Sequence, residues 1–268
     1  MNFLGKITES KKKEVELLKE GFSVKDFEKG ELYCRNTISL ADSVRNAAGA
    51  GIIAEFKRKS PSKGEINIHS SAVSVAMGYE AAGAAALSIL TENRFFGGTP
   101  GDIVSVRSVT ALPILRKDFI IDEFQIYESK FYGADAILLI AAIISKKKIA
   151  QFARIAHEID LEVILEIHSP EEIEMINDHV NIIGINNRNL DNLEVDINTS
   201  FRLIEKIPDR FVKISESGIS SPGVIDELRK AGFDGFLIGE YLMSKADPAS
   251  AFRDFMTAVR KSGNLKTE

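Results

Sequence analysis

The sequence predicts a (β/α)8 barrel with an N-terminal helical extension, and three observations support this. Eight short apolar runs recur after Gly49, at 51–56, 84–90, 113–115, 135–140, 162–167, 182–185, 211–214 and 235–238. Each is too short for a typical helix and suits a strand buried on both faces. Helical patterns lie between the runs, and one turn shape repeats before three of them: Ala82-Gly83-Ala84, Tyr132-Gly133-Ala134 and Ala231-Gly232-Phe233. Each glycine closes a helix and leads tightly into an apolar strand. The length of 268 residues suits one such barrel. A doubly wound parallel sheet is the alternative reading of the same alternation.

Three segments follow from this rhythm: a helical extension over 1–48 packing on the barrel, a catalytic barrel over 49–260, and a tail over 261–268. In the extension, Glu9 to Glu20 is dense in charge, with Val15, Leu17 and Leu18 as the apolar positions of an amphipathic helix. Lys11-Lys12-Lys13 reads as its solvated face rather than as a site for an anionic partner. The stretch Gly49-Ala50-Gly51-Ile52-Ile53-Ala54 matches a dinucleotide fingerprint. Its glycines precede a strand instead of opening a helix, which removes the reason for that motif. Three helix starts are explicit: Ser145 before 146–159, Ser169-Pro170 before 171–176, and Ser221-Pro222 before 223–232. Serine suits the N-cap, and proline suits the first turn because its missing N–H would have no partner there.

Hydrophobic residues make up 44% and charged residues 27%, a globular composition. A net charge of −5 disfavours a nucleic-acid surface, which needs a basic face. The lone Cys34 makes an internal disulfide unavailable and points to a reducing compartment. The N-terminus has no signal-like apolar core, and the longest apolar run, 134–144, is too short to span a bilayer. These features together predict a cytoplasmic protein.

In such a barrel, chemistry sits where the strands end. The runs close on Glu55-Phe56-Lys57, Thr91-Glu92, Arg116-Lys117-Asp118, Glu166, Asn186-Asn187-Arg188, Glu216-Ser217-Gly218 and Gly239-Glu240. Period-two alternation aims Glu55 and Lys57 the same way, toward the barrel axis. Charges buried at a barrel mouth are costly unless paired, and this chain places both signs there. Such a ring is poised for proton transfer. The glycine-bearing loops after the last two runs, at Gly218 and Gly239, suit an anion held by backbone N–H groups. His69, His157, His168 and His179 have no metal-ligand spacing, so no metal is expected. His168 follows the strand-five acid, within reach of the mouth, but a lone histidine reads first as a loop or core residue. Neither a nucleophile elbow nor a Walker loop is present in the sequence.

The ordered segments IIAEFKRKSPSKG, SILTENRFFGG, ILRKDFI, ADAILLI, LEVILEIH, IIGINNRNL, KISESGI and FLIGEYLM resemble the indole-3-glycerol-phosphate synthase family of tryptophan biosynthesis, over nearly the whole chain. The resemblance implies a carboxy-lyase closing 1-(2-carboxyphenylamino)-1-deoxyribulose 5-phosphate to indole-3-glycerol phosphate, with CO2 and water released. It implies Lys117 as general acid and Glu166 as general base, and Lys57 as the residue holding the substrate carboxylate, with Glu55 beside it. Asn186, Glu216 and Ser217 complete the catalytic set it implies, and Arg188, Phe96, Phe119 and Leu237 bind substrate. Ser60, Gly218, Gly239 and Glu240 fall on its phosphate site, where a phosphate held by backbone N–H requires the Glu240 carboxylate to turn away.

No cofactor is implied, because ring attack creates an iminium that accepts the electrons of decarboxylation. The implied partner is a small-molecule sugar phosphate, with no nucleic acid or membrane; contact with other enzymes of the pathway is left open. Three readings compete. Phosphoribosylanthranilate isomerase would want a cysteine ending strand one and an aspartate on strand five. A Schiff-base aldolase would use Lys117 as nucleophile. A phosphate-binding barrel without turnover would serve as a partner subunit.

Overall fold

The computed structural model describes residues 3–264. Eight parallel strands close into a barrel: β1 (Gly51–Phe56), β2 (Ala86–Leu90), β3 (Ile114–Lys117), β4 (Ala136–Ile140), β5 (Glu162–Ile167), β6 (Ile182–Asn186), β7 (Val212–Glu216) and β8 (Gly235–Ile238), with β8 pairing back onto β1. Each predicted run holds a strand. Strands two, three, four and seven begin later than the apolar pattern suggested, and β3 and β7 run on through Lys117 and Glu216. The two extra charged residues are hydrogen-bonded into the sheet by register, as in the Leu90–Lys117 and Asn186–Glu216 pairs. Gly83, Gly133 and Gly232 all have positive φ, between 91° and 104°, so the repeated turn rests on a conformation that glycine takes without steric penalty.

Alternation sorts each strand's side chains. Ile52, Ala54 and Phe56 of β1 face the outer helices, while Ile53 joins Leu115, Leu138, Ile164, Ile182, Ile214 and Leu237 in the barrel interior. The inner rows then turn polar together at the C-terminal ends, in the order Ile53-Glu55-Lys57, Leu115-Lys117, Ile164-Glu166-His168 and Ile214-Glu216. The barrel wall is therefore apolar below and ionic above.

Seven helices flank the sheet after the extension: α4 (Ala72–Ala82), α5 (Pro100–Arg107), α6 (Phe124–Phe131), α7 (Lys146–Glu158), α8 (Asn198–Ile204), α9 (Pro222–Lys230) and, after a short turn of helix at Glu240–Met243, the closing helix Pro248–Asn264. Ser145 caps α7 by accepting from Lys148 N–H, and Pro222 opens α9. The segment after Ser169-Pro170 differs from expectation: Pro170–Met175 is a 3-10 helix and contains no fully buried residue. Its six residues present too little apolar surface to hold a longer α-helix in place. The closing helix reaches Asn264, inside the predicted 261–268 tail, and residues 265–268 lie outside the described residues.

The extension contacts both ends of the barrel. Helix α1 (Phe3–Gly21) reaches the C-terminal end of β3, the short α2 (Val24–Phe27) sets Phe27 against Phe124 of α6, and α3 (Leu40–Arg45) closes the other end, with Leu40 and Val44 in the interior cluster. Glu162, opening β5, accepts from Ser39 Oγ and from the N–H groups of Leu40 and Ala41. Gly51 and Gly235 leave room for this: a Cβ at either would lie 2.6–2.8 Å from Val44 atoms. The glycine of the false dinucleotide motif therefore serves close packing.

Two expectations for α1 are corrected. Lys11 is buried, with Nζ 2.9 Å from Asp118 Oδ1, so only its neighbours in the lysine run form a solvated face. Leu17 is exposed and Leu18 only half-buried, while Ile7 and Val15 carry the packing. Ile7, Lys11 and Val15 recur every four residues, so the buried stripe runs through a lysine that Asp118 and, one turn on, Glu14 make tolerable.

Candidate active site

The mouth of the barrel holds a cavity of about 600 Å3 continuous in its lining with a deeper one of about 100 Å3. Glu55, Lys57, Arg188, Ser217 and Leu237 line both. The larger chamber is bounded by the 217–220 loop, by 238–241 and by Lys63–Ile66; the deeper one adds Phe96, Phe119, Lys117, Glu166, Asn186 and Glu216. All fourteen of the side chains and glycines singled out from strand ends, aromatic walls and phosphate loops, leaving Ser60 aside, line these chambers, and Phe96 faces Phe119 at a centroid distance of 6.0 Å. Leu138, Ile140 and Leu190 complete the apolar side of the deeper chamber.

Lys117 is the hub. Its Nζ lies 2.9 Å from Glu216, 3.5 Å from Glu166 and 3.9 Å from Glu55. Glu55 in turn binds Lys57 at 2.9 Å and accepts from Ser88 Oγ. Burial alone would lower the Lys117 pKa, but the three carboxylates reverse this and raise it above the ordinary lysine value. Burial likewise works against the charge on Glu166, yet Lys117 and His168 overcome it and hold that carboxyl down at about 2. Glu216 goes the other way. Burial, with Glu166 and Glu55 close by, outweighs the pull of Lys117 and pushes it up to about 7. Three carboxyl groups around one ammonium cannot all be equally ionised, and Glu216 carries the excess.

Glycines make this ring possible. A Cβ at Gly184 of β6 would lie 2.3 Å from Glu216 Oε1, and one at Gly239 would lie 2.4 Å from Glu55 Oε1. Each carboxylate thus occupies the space beside a glycine on the next strand. Gly239, expected only as part of an anion loop, therefore also has a packing role.

After β7 the chain takes two left-handed residues in succession, Ser217 at φ 67° and Gly218 at φ 79°. For serine this is a strained conformation. Asn187 holds it there: its amide donates to Ser215 Oγ and to the carbonyls of Glu216 and Ser217, and its own carbonyl accepts from Ser200 N–H and Oγ–H.

Arg188 and Glu240 pair at 3.0 Å, and Arg188 also donates to the Leu193 carbonyl. The Glu240 carboxylate therefore points along the cavity wall to a cation, and an incoming anion that sought Arg188 would compete with it. Ser60 departs from expectation. It is buried, close to Ser62 Oγ and accepting from Lys63 N–H, and does not line either chamber. Its part in the site is to shape the turn carrying Lys63.

Residues that sequence reasoning passed over support this ring. Glu92 accepts from the N–H groups of Arg94, Phe95 and Phe96, which fixes the loop bearing Phe96. Asp118 and Arg116, on the outer face of β3, form a buried network with Lys11, Glu128 and Thr91. His168 lies 3.2 Å from Glu166. Its signal was available: it stands two residues beyond Glu166 on the same inward row, as Lys57 stands beyond Glu55.

These features define the class: a (β/α)8-barrel enzyme whose strand ends combine an acid–base ring, an aromatic pocket and a glycine-bearing loop corner. The indole-3-glycerol phosphate synthase family model matches residues 4–255, and this chain belongs to that family. It is 46% identical over 262 residues to the indole-3-glycerol phosphate synthase of Bacteroides thetaiotaomicron, covering 97% of this chain and 99% of that one. It is 44% identical over 260 residues to the enzyme of that name from Caldanaerobacter subterraneus subsp. tengcongensis, covering 96% and 98%. Among solved structures, 3-hexulose-6-phosphate synthase from Salmonella typhimurium aligns with a TM-score of 0.63 at 13% identity, over 79% of this chain and 99% of that one, which reflects the shared barrel alone. No helix among the described residues is long and apolar enough to cross a membrane.

Proposed function

We propose that this chain is a carboxy-lyase that closes 1-(2-carboxyphenylamino)-1-deoxyribulose 5-phosphate to indole-3-glycerol phosphate, releasing CO2 and water, and that it does so in the cytoplasm. The observation that carries the reading is the continuity of the two chambers. In this reading the aryl carboxylate lies in the deeper one against Phe96 and Phe119, the phosphate lies on the loops at Gly218 and Gly239, and the reacting carbonyl lies beside Lys117; all of these residues line the chambers.

In this reading Lys117 protonates the ribulose carbonyl oxygen as the ring carbon attacks it. Lys57 holds the carboxylate and protonates the departing hydroxyl, and Glu166 removes the proton that completes the indole. Two protons enter and one leaves, which balances the carboxylate lost as CO2. The ion ring couples these steps. When Lys117 gives up its proton, one of the two charges that depress Glu166 disappears, and Glu166 becomes a better base at the stage that needs one. Asn186 and Glu216 hold Glu166 and Lys117 in place, and Arg188 and Leu237 border the substrate between the chambers.

The raised pKa of Lys117 disfavours the Schiff-base reading, because a lysine nucleophile needs its pKa lowered. The test is to add the carboxyphenylamino-deoxyribulose phosphate and follow indole fluorescence, with Lys117→Ala as control. Each acid–base group contributes about 10²–10⁴-fold, so the variant is expected to lose at least about a hundredfold in kcat. Near-normal turnover by folded Lys117→Ala would overturn the role, and a borohydride-trapped covalent adduct would favour the aldolase.

A further inference from the structure

We infer that His168 is a positioning residue: from outside the cavity it fixes the orientation of the Glu166 carboxylate. The inference rests on the reading of Glu166 as the proton acceptor. His168 does not line either chamber, yet its Nε2 lies 3.2 Å from Glu166 Oε1, while Lys117 takes Glu166 Oε2 on the other side at 3.5 Å. Each carboxylate oxygen thus faces a different basic side chain at ion-pair distance, which favours one orientation of the carboxylate.

The imidazole is itself braced. Its Nδ1 lies 3.5 Å from Glu172 Oε2, and the same carboxylate accepts from the His168 backbone N–H at 2.6 Å. Glu172 belongs to the 3-10 turn Pro170–Met175 that follows β5 directly. This gives the turn a function: a 3-10 turn returns Glu172 to the end of the strand four residues later. The charged groups against the ring are Glu166 from its own strand and Glu172 from the turn; beyond Glu166 stand Lys117 of β3 and Glu216 of β7. Burial works against a charged imidazole, but the two flanking carboxylates raise its pKa to about 10, so the ring is an imidazolium at neutral pH.

A cation behind Glu166 has a purpose in this reaction. Lys117 gives up its charge when it protonates the carbonyl, and Glu166 is then held by Asn186 and His168 alone. His168 keeps its charge throughout and holds Glu166 toward the proton it must take.

Steady-state kinetics across pH for His168→Ala and Glu172→Gln, with Glu166→Gln as reference, test this. His168→Ala is expected to lower kcat about tenfold, a fraction of what a full acid–base group supplies. KM should stay within about twofold, because the ring touches no substrate. The acid limb of the kcat profile should move to higher pH, because Glu166 loses a cation, and added imidazole should restore part of the rate. Where His168→Ala does not fold, Glu172→Gln carries the same test with a smaller shift in the same direction. A kcat loss without movement of the acid limb, or a kcat and limb unchanged from the parent, overturns the inference. If Glu166→Gln retains near-normal turnover, the reading of Glu166 fails first; if it is inactive while the His168 and Glu172 variants behave as the parent, this inference alone fails.

Discussion

Gly184 shows how much of the site depends on single atoms. Its neighbour Glu216 occupies the space a methyl group would need, with Oε1 2.3 Å from the position of a Cβ. Gly184→Ala is therefore expected to push Glu216 off Lys117, lowering kcat by tenfold or more and destabilising the fold by about 1–3 kcal/mol. Turnover and a thermal melt on one preparation check both. Ser217 predicts the opposite balance. Glycine there relieves the left-handed strain at φ 67°, so Ser217→Gly should raise stability by about 1 kcal/mol in denaturant unfolding.

At this scale the inward residues were legible because period two is strict. Glu55, Lys117, Glu166 and Glu216 each follow an apolar residue on the same face, and Lys57 follows Glu55. What was not legible was any partner set by three-dimensional approach. The Arg188–Glu240 pair joins residues 52 apart in sequence, and Lys11–Asp118 joins residues more than a hundred apart. Ser60 was placed by resemblance alone, and its hydroxyl turns inward to its own loop.

Among the elements, α1 tells most about what pattern reading misses. Its charges suggested an amphipathic helix with the whole lysine run on the solvated face, but Lys11 inserts beside β3 and binds Asp118, the residue after Lys117. Removing one member of a buried pair leaves the other uncompensated and typically costs about 3–5 kcal/mol. Lys11→Ala is expected to fall in that range by denaturant unfolding. Asp118 retains Arg116 at 3.1 Å, so Asp118→Asn added to Lys11→Ala should cost less than the sum of the two single changes. Strict additivity would mean that the pair does not couple helix to strand. The 3-10 turn after β5 shows a second limit. Ser-Pro-Glu-Glu is a good helix start, but a start signal cannot tell how far an element continues when little apolar surface follows it.

Across the whole molecule, the acid–base ring makes stability depend on pH in two opposite ways. Glu216 has its folded pKa raised from 4.5 to about 7, so the folded state binds the proton more tightly and stability falls as pH rises between those values. Glu166 is lowered from 4.5 to about 2, so its contribution is present above pH 4.5 and lost as pH falls toward 2. Melting temperatures across pH 4.5–7 should show a decline that Glu216→Gln flattens; an equal slope in the variant would contradict the burial argument. The barrel itself was readable because eight short runs leave few ways to bury both faces of every strand. The two chambers were not, since their shape comes from loops whose paths no periodicity encodes.

The central claim is that one substrate spans both chambers, with its aryl carboxylate in the deeper and its phosphate in the larger. A crystal structure with the reduced, non-cyclising analogue of the carboxyphenylamino-deoxyribulose phosphate tests this most directly. The account predicts the phosphate on the backbone at Gly218 and Gly239, the ring packed against Phe96 and Phe119, and the former carbonyl oxygen within hydrogen-bond reach of Lys117. An analogue bound in the reverse direction, or with its oxygen remote from Lys117, would contradict it.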